Sequence, residues 1–111
     1  MAKPYPIDCP VAVTLDAIGE RWTMLLVRDL YRNETRRFAD FLESFPSLSP
    51  GILSSRLKSL EEHGVVERRF YQTHPPRAEY LLTQRGRELG PVLQALKNWG
   101  LGSPQWVGRS F

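Results

Sequence analysis

Cysteine is nearly absent from this chain. A single thiol, Cys9, stands among 111 residues, so no disulfide forms within one copy and a staple-dependent fold is excluded. Histidine is scarce too, with only His63 and His74. Together with Cys9 they are too few and too scattered for a zinc site, and neither a metal nor a cofactor is expected. Long apolar runs are missing. Segments such as Leu25-Leu26-Val27 are short, whereas a membrane-spanning helix takes about 20 apolar residues. The opening MAKPYPIDCP holds no apolar signal-peptide core. The expectation is a cytoplasmic protein with no membrane partner. Neither a phosphate-cradling glycine loop nor a Gly-x-Ser-x-Gly elbow occurs. The neighbouring carboxylates Glu61 and Glu62 diverge on a helix, so they make no catalytic pair. The chain is not expected to be an enzyme.

What is present reads as one globular domain over residues 1–111. The composition is 41% hydrophobic and 24% charged. A chain of this size buries a modest core, to which a dimer would add. The net charge is only +3, so the placement of charge matters more than its sum. Residues 1–8 hold two prolines and read as an extended arm. Val11, Leu15, Ile18, Trp22, Leu25, Leu26 and Leu30 then recur at helical spacing. Gly19 interrupts them, which predicts helices at about 10–18 and 20–31, or one helix with a break. Phe38, Phe41, Leu42 and Phe45 predict a short helix at about 37–44, and Pro46-Ser47-Leu48 a turn.

The next helix has clear ends. Ser49 is a good N-cap, Pro50 suits the first helical position and Gly64 suits a left-handed C-cap. The helix is expected over about 50–63, with Leu53, Leu57 and Leu60 as its buried stripe. Val65 to Tyr71 reads as a strand, broken by Gln72 to Arg77, and Ala78 to Leu82 as its returning partner. Thr83 caps a last helix containing Leu89, Val92, Leu93, Leu96 and Trp99. Pro91 inside that pattern predicts a kink. The tail to Phe111 carries Trp106 without periodicity.

This order predicts a mainly α fold with a small antiparallel hairpin, a winged helix-turn-helix. The helix-turn-helix occupies about 37–63 and the wing about 65–82. In such folds the second helix enters the major groove. At 100° per residue from the leucine stripe, Gly51, Ser55, Lys58, Ser59 and Glu62 point outward, with Ile52 and Ser54 on the flanks. Small hydroxyl-bearing residues permit close approach to base edges. The helix N-terminus, capped by Ser49, favours phosphate. On the hairpin, Arg68, Arg69, His74 and Arg77 bracket a Pro-Pro tip, and Arg36 and Arg37 begin the short helix. The expected DNA-binding residues are Arg36, Arg37, Ser49, Gly51, Ser54, Ser55, Lys58, Ser59, Arg68, Arg69 and Arg77. Taken singly, each has a plainer reading: serines on a solvated helix face, or arginines along a strand edge. A winged helix used for protein–protein contact without DNA is the alternative for the whole.

The chain resembles the HxlR-type regulators, winged helix proteins close to the MarR group. The match rests on Cys9-Pro10, on Ile18-Gly19-Glu20-Arg21-Trp22 and on Arg37-Phe38-Ala39-Asp40-Phe41. It continues through Ile52 to Arg68 and through Pro76 to Gly86, and ends near Trp99. Gly19-Glu20-Arg21-Trp22 stands where the family usually has Gly-Gly-Lys-Trp. The resemblance implies a homodimeric bacterial transcription regulator that binds a double-stranded DNA operator. It places the dimerisation elements at about 8–31 and 83–111. A small-molecule sensor, its ligand seated between the dimer helices and the wing domain, is a third reading and is compatible with DNA binding. Cys9 matches a cysteine that senses redox state or electrophiles in some members; a plain structural cysteine is the other reading. A sensing thiol needs access and a stabilised thiolate.

Overall fold

The structure is a computed structural model, and residues 8–103 are described. The expected arm before Asp8 and the tail with Trp106 and Phe111 lie outside them. The elements run α1 (Pro10–Ile18), α2 (Thr23–Arg32), α3 (Phe38–Ser44), α4 (Pro50–Glu62), β1 (Val66–Thr73), β2 (Pro76–Leu82), α5 (Gln84–Arg87) and α6 (Gly90–Leu101). This is the mainly α, winged helix-turn-helix architecture that the sequence predicts.

Proline starts three of the helices. Pro10, Pro50 and Pro91 each sit in a first turn, where the missing N–H leaves no partner unsatisfied. In α4 the Ser49 hydroxyl accepts from the Ile52 amide at 3.2 Å. At the other end Gly64 adopts φ 73, a left-handed backbone that glycine takes without steric penalty. Leu53, Leu57 and Leu60 are fully buried, each worth about 1.5–3 kcal/mol by transfer. They meet Leu26, Val27 and Leu30 of α2, Phe41 of α3, Leu48 of the turn, and Val66 and Leu82 at the hairpin base. The core therefore lies directly beneath α4 and holds it by one face.

Three boundaries differ from the sequence reading. First, α2 begins at Thr23 instead of about residue 20, because Trp22 has left-handed backbone, φ 80, which no right-handed helix accommodates. Second, the strands of the wing run further toward its tip than expected, while the wing as a whole keeps the expected extent. β1 continues to Thr73 and β2 starts at Pro76, in antiparallel register from Val66↔Leu82 to Thr73↔Pro76. A register shift between Phe70 and Gln72 absorbs the irregularity and leaves Tyr71 without a cross-strand partner, as a bulge does. Third, the last helix is divided. The Thr83 hydroxyl caps α5 by accepting from the Gly86 amide at 3.0 Å, and α6 restarts at Gly90. Pro91 has no N–H and its ring clashes with a carbonyl four residues back, so a continuous helix is interrupted. Gly86 itself is required by contact, since a Cβ there would lie 2.2 Å from the Val65 carbonyl oxygen.

Candidate nucleic-acid interface

The helix-turn-helix consists of α3, the turn through Leu48, and α4. With the leucine stripe buried, α4 turns Gly51, Ile52, Ser54, Ser55 and Lys58 to solvent, while Ser59 is half-exposed. A Cβ on Gly51 would meet nothing within 4 Å, so packing within the chain does not demand a small residue there. Ser49 is engaged as the helix cap. Lys58 has no ion pair among the described residues.

Each predicted arginine has a definite environment. Arg77 on β2 is exposed and has no ion pair among the described residues. Arg37, at the start of α3, lies over the Tyr71 ring at 4.8 Å from its centroid. The bulge thus aims the tyrosine at the helix-turn-helix. Arg68 lies 5.4 Å from the Phe70 ring centroid and its Nε is 3.9 Å from Glu61 of α4. Arg69 is spent within the hairpin, where its Nη2 donates to Glu79 at 2.9 Å. Arg36 is engaged most deeply. Its Nε donates to Asp29 at 2.9 Å, its Nη2 donates to Ser44 Oγ at 2.6 Å, and its backbone pairs with Tyr80 of β2. Arg36 is a brace joining α2, α3 and the wing.

Tyr80 anchors the wing base. Its ring packs edge-on to Phe41, centroids 6.2 Å apart. Burial pushes its phenol above the usual 10; Arg68 pulls it down and Glu61 pushes it up. The phenol is therefore neutral at physiological pH.

Cys9 is the half-buried residue immediately before α1, with a free thiol. A cleft of about 360 Å³ opens between α2 and α6, with Met24, Leu25, Tyr31 and Leu93 among its walls. Trp99, one of the apolar positions of the expected last helix, is 83% exposed and so is not in the core of the described structure. Val11, Leu15 and Leu96 are also more than half exposed.

Sequence reasoning missed Arg56. It looks like one more surface cation, but its Nε donates to the Arg21 carbonyl at 2.9 Å. Its angular position was the available signal. It falls about 60° from Leu53 at 100° per residue, at the border between the buried stripe and Ser59. Tyr71 was missed because a bulge cannot be read from alternation alone.

Comparison with known proteins gives consistent results. The family model for the HxlR-like helix-turn-helix matches residues 17–107. The chain is 40% identical over 92 residues to the HTH-type transcriptional regulator sll1512 of Synechocystis sp., covering 83% of this chain and 67% of that one. It is equally identical over 92 residues to the HTH-type transcriptional regulator YdeP of Bacillus subtilis, covering 83% and 71%. Among solved structures, the redox regulator HypR in its oxidized form matches with a TM-score of 0.78 at 36% identity, over 93% of this chain and 100% of that one.

Proposed function

Since the chain belongs to the HxlR-like helix-turn-helix family of transcriptional regulators, we propose that it acts as a homodimer that reads a specific double-stranded DNA operator with two copies of α4. The observation that carries this reading is the serine-rich face of α4. It is solvent-exposed, short-chained and polar, while the opposite face is pinned by buried leucines. Ser54, Ser55 and Ser59 offer hydroxyls to base edges, Gly51 gives clearance, and Lys58 adds a cation. Arg37, Arg77 and Arg68 supply phosphate contacts from the α3 start and the wing, which position the protein without reading sequence. Ser49, Arg36 and Arg69 support this surface from within, as cap, brace and hairpin tie.

Exposed apolar side chains on α1 and α6 support dimerisation. Val11, Leu15, Leu96 and Trp99 would be sheltered by a second copy. The half-sites then lie about 34–36 Å apart, or a multiple of that. Selection of bound duplexes from a random pool, followed by a salt titration, tests the reading. A two-fold symmetric motif with steep salt dependence is expected; absence of duplex binding at low salt would favour a protein-contact module.

Regulation is proposed to pass through Cys9. With one cysteine per chain, an oxidant removes two electrons and two protons from a pair of thiols. The product is either a disulfide between subunits or a mixed disulfide with a small thiol. If Cys9→Ser leaves oxidant-induced loss of operator binding unchanged, this assignment fails. The cleft between α2 and α6 is the proposed seat for a small-molecule effector.

A further inference from the structure

The turn between α1 and α2 contains an unusual backbone. Trp22, at φ 80 and ψ −23, is the one non-glycine residue of positive φ among the described residues. Left-handed backbone is unfavourable for a side chain of this size, and it persists where neighbours over-determine it. Two neighbours do so here. The indole meets the edge of Phe45, centroids 5.8 Å apart, and Arg56 reaches across from the middle of α4. Its Nε donates to the Arg21 carbonyl, which belongs to the peptide unit entering Trp22. Its Nη2 stands 3.6 Å from the Glu20 carboxylate. The Arg56 side chain is 20% exposed, so the guanidinium is tucked into the turn and does not lie on the serine face.

A second tie joins the end of α4 to α1 itself. His63, the C-cap residue that follows α4, has Nε2 3.7 Å from Asp16 of α1 and Nδ1 2.8 Å from the Ser59 carbonyl. In sequence, α1 and α4 are separated by α2 and α3, so their relative orientation depends on such non-covalent links. α1 carries exposed Val11 and Leu15, proposed above to meet a second copy. α4 carries the face proposed to meet DNA.

We propose that Arg56 is a positioning residue: by clamping the strained turn at Trp22 it makes α1 and α4 one rigid unit, and so fixes the spacing of the two half-sites that a dimer accepts. This rests on the dimeric DNA-binding reading. It gives Arg56 a role in specificity without contact to DNA.

The test uses the full chain and duplexes selected from a random pool, rebuilt with the half-sites moved apart or together by one and two base pairs. Wild type is expected to show a sharp optimum of spacing. Arg56→Ala should lose about tenfold in affinity at the optimum and much less at the other spacings, so that the preference flattens. The slope of affinity against salt should stay as in wild type, because no phosphate contact is removed. Glu20→Ala, at a side chain 69% exposed, should leave the fold intact and flatten the optimum in the same direction, less strongly. A uniform loss at every spacing, or a lowered salt slope for Arg56→Ala, would make Arg56 an ordinary DNA contact and overturn the proposal. Unaltered spacing preference in both variants overturns it as well, while leaving DNA binding intact. A wild-type chain without duplex affinity overturns both readings together.

Discussion

At the scale of single residues, Arg36 and Arg77 show one side-chain type in opposite uses. Arg36 is held by Asp29 and Ser44 through Nε and Nη2, whereas Arg77 stands exposed on the wing. Replacing each by alanine should therefore separate two observables. Arg77→Ala and Lys58→Ala are expected to weaken operator binding, each flattening the plot of log affinity against log salt by about 0.9 for every phosphate no longer neutralised. Arg36→Ala should lower the thermal midpoint and leave that slope unchanged. Tyr80 makes a pH prediction. Its folded-state phenol is raised above 10 mainly by burial, so the folded state holds that proton more tightly than the unfolded chain. The resulting stabilisation is complete below pH 10 and is lost as pH rises through the folded-state value. Denaturation followed from pH 8 to 11 should show the fall, and Tyr80→Phe should remove this contribution to it. The sequence disclosed the arginines as a set but not how they divide. That division depends on which acids the folded chain brings near, and Asp29 and Glu79 are 7 and 10 residues away from their partners.

At the scale of elements, α4 was legible almost entirely. Ser49, Pro50, the leucine stripe and Gly64 are local signals, and local signals set helix ends. The hairpin's position was legible for the same reason, while the reach of its strands was not. The run from Gln72 to Arg77 looks like a loop, but the bulge at Tyr71 lets the ladder continue past it. The late start of α2 was also hidden, since a left-handed tryptophan is enforced by Phe45 and Arg56 and no rule of spacing foresees it. The junction of α5 with the wing gives the sharpest element-scale prediction. Gly86→Ala pushes a methyl to within 2.2 Å of the Val65 carbonyl oxygen, backbone that cannot swing aside. Overpacking of this kind typically costs about 1–3 kcal/mol, and chemical denaturation should register at least that. A loss below about 0.5 kcal/mol, the range of ordinary surface changes, would mean that α5 is free to shift.

At the scale of the whole molecule, the chain divides its surfaces by chemistry. Short polar groups and cations lie on α4 and the wing, together with exposed Ile52, Phe70 and Tyr71, and large apolar groups lie on α1 and α6. Trp99→Asp should leave the winged unit folded, because the side chain is 83% exposed, yet shift sedimentation toward the monomer at micromolar concentration. An unchanged sedimentation profile would move the dimer face elsewhere. Operator affinity should fall with the dimer, since two half-sites are then no longer read by one particle. The wing itself has a consequence in time rather than space. β1 and β2 form a two-stranded ribbon, and every β1 residue beyond Val66 is exposed. Such ribbons are marginal by themselves, so opening should begin at His74 and Pro75 and end where Val66 and Leu82 enter the core. Amide hydrogen exchange should display this as a gradient, rapid near Thr73 and Arg77 and slow at Glu67 and Leu81. If duplex binding steepens protection at the tip first, the wing is the part of the molecule that acquires its order from DNA.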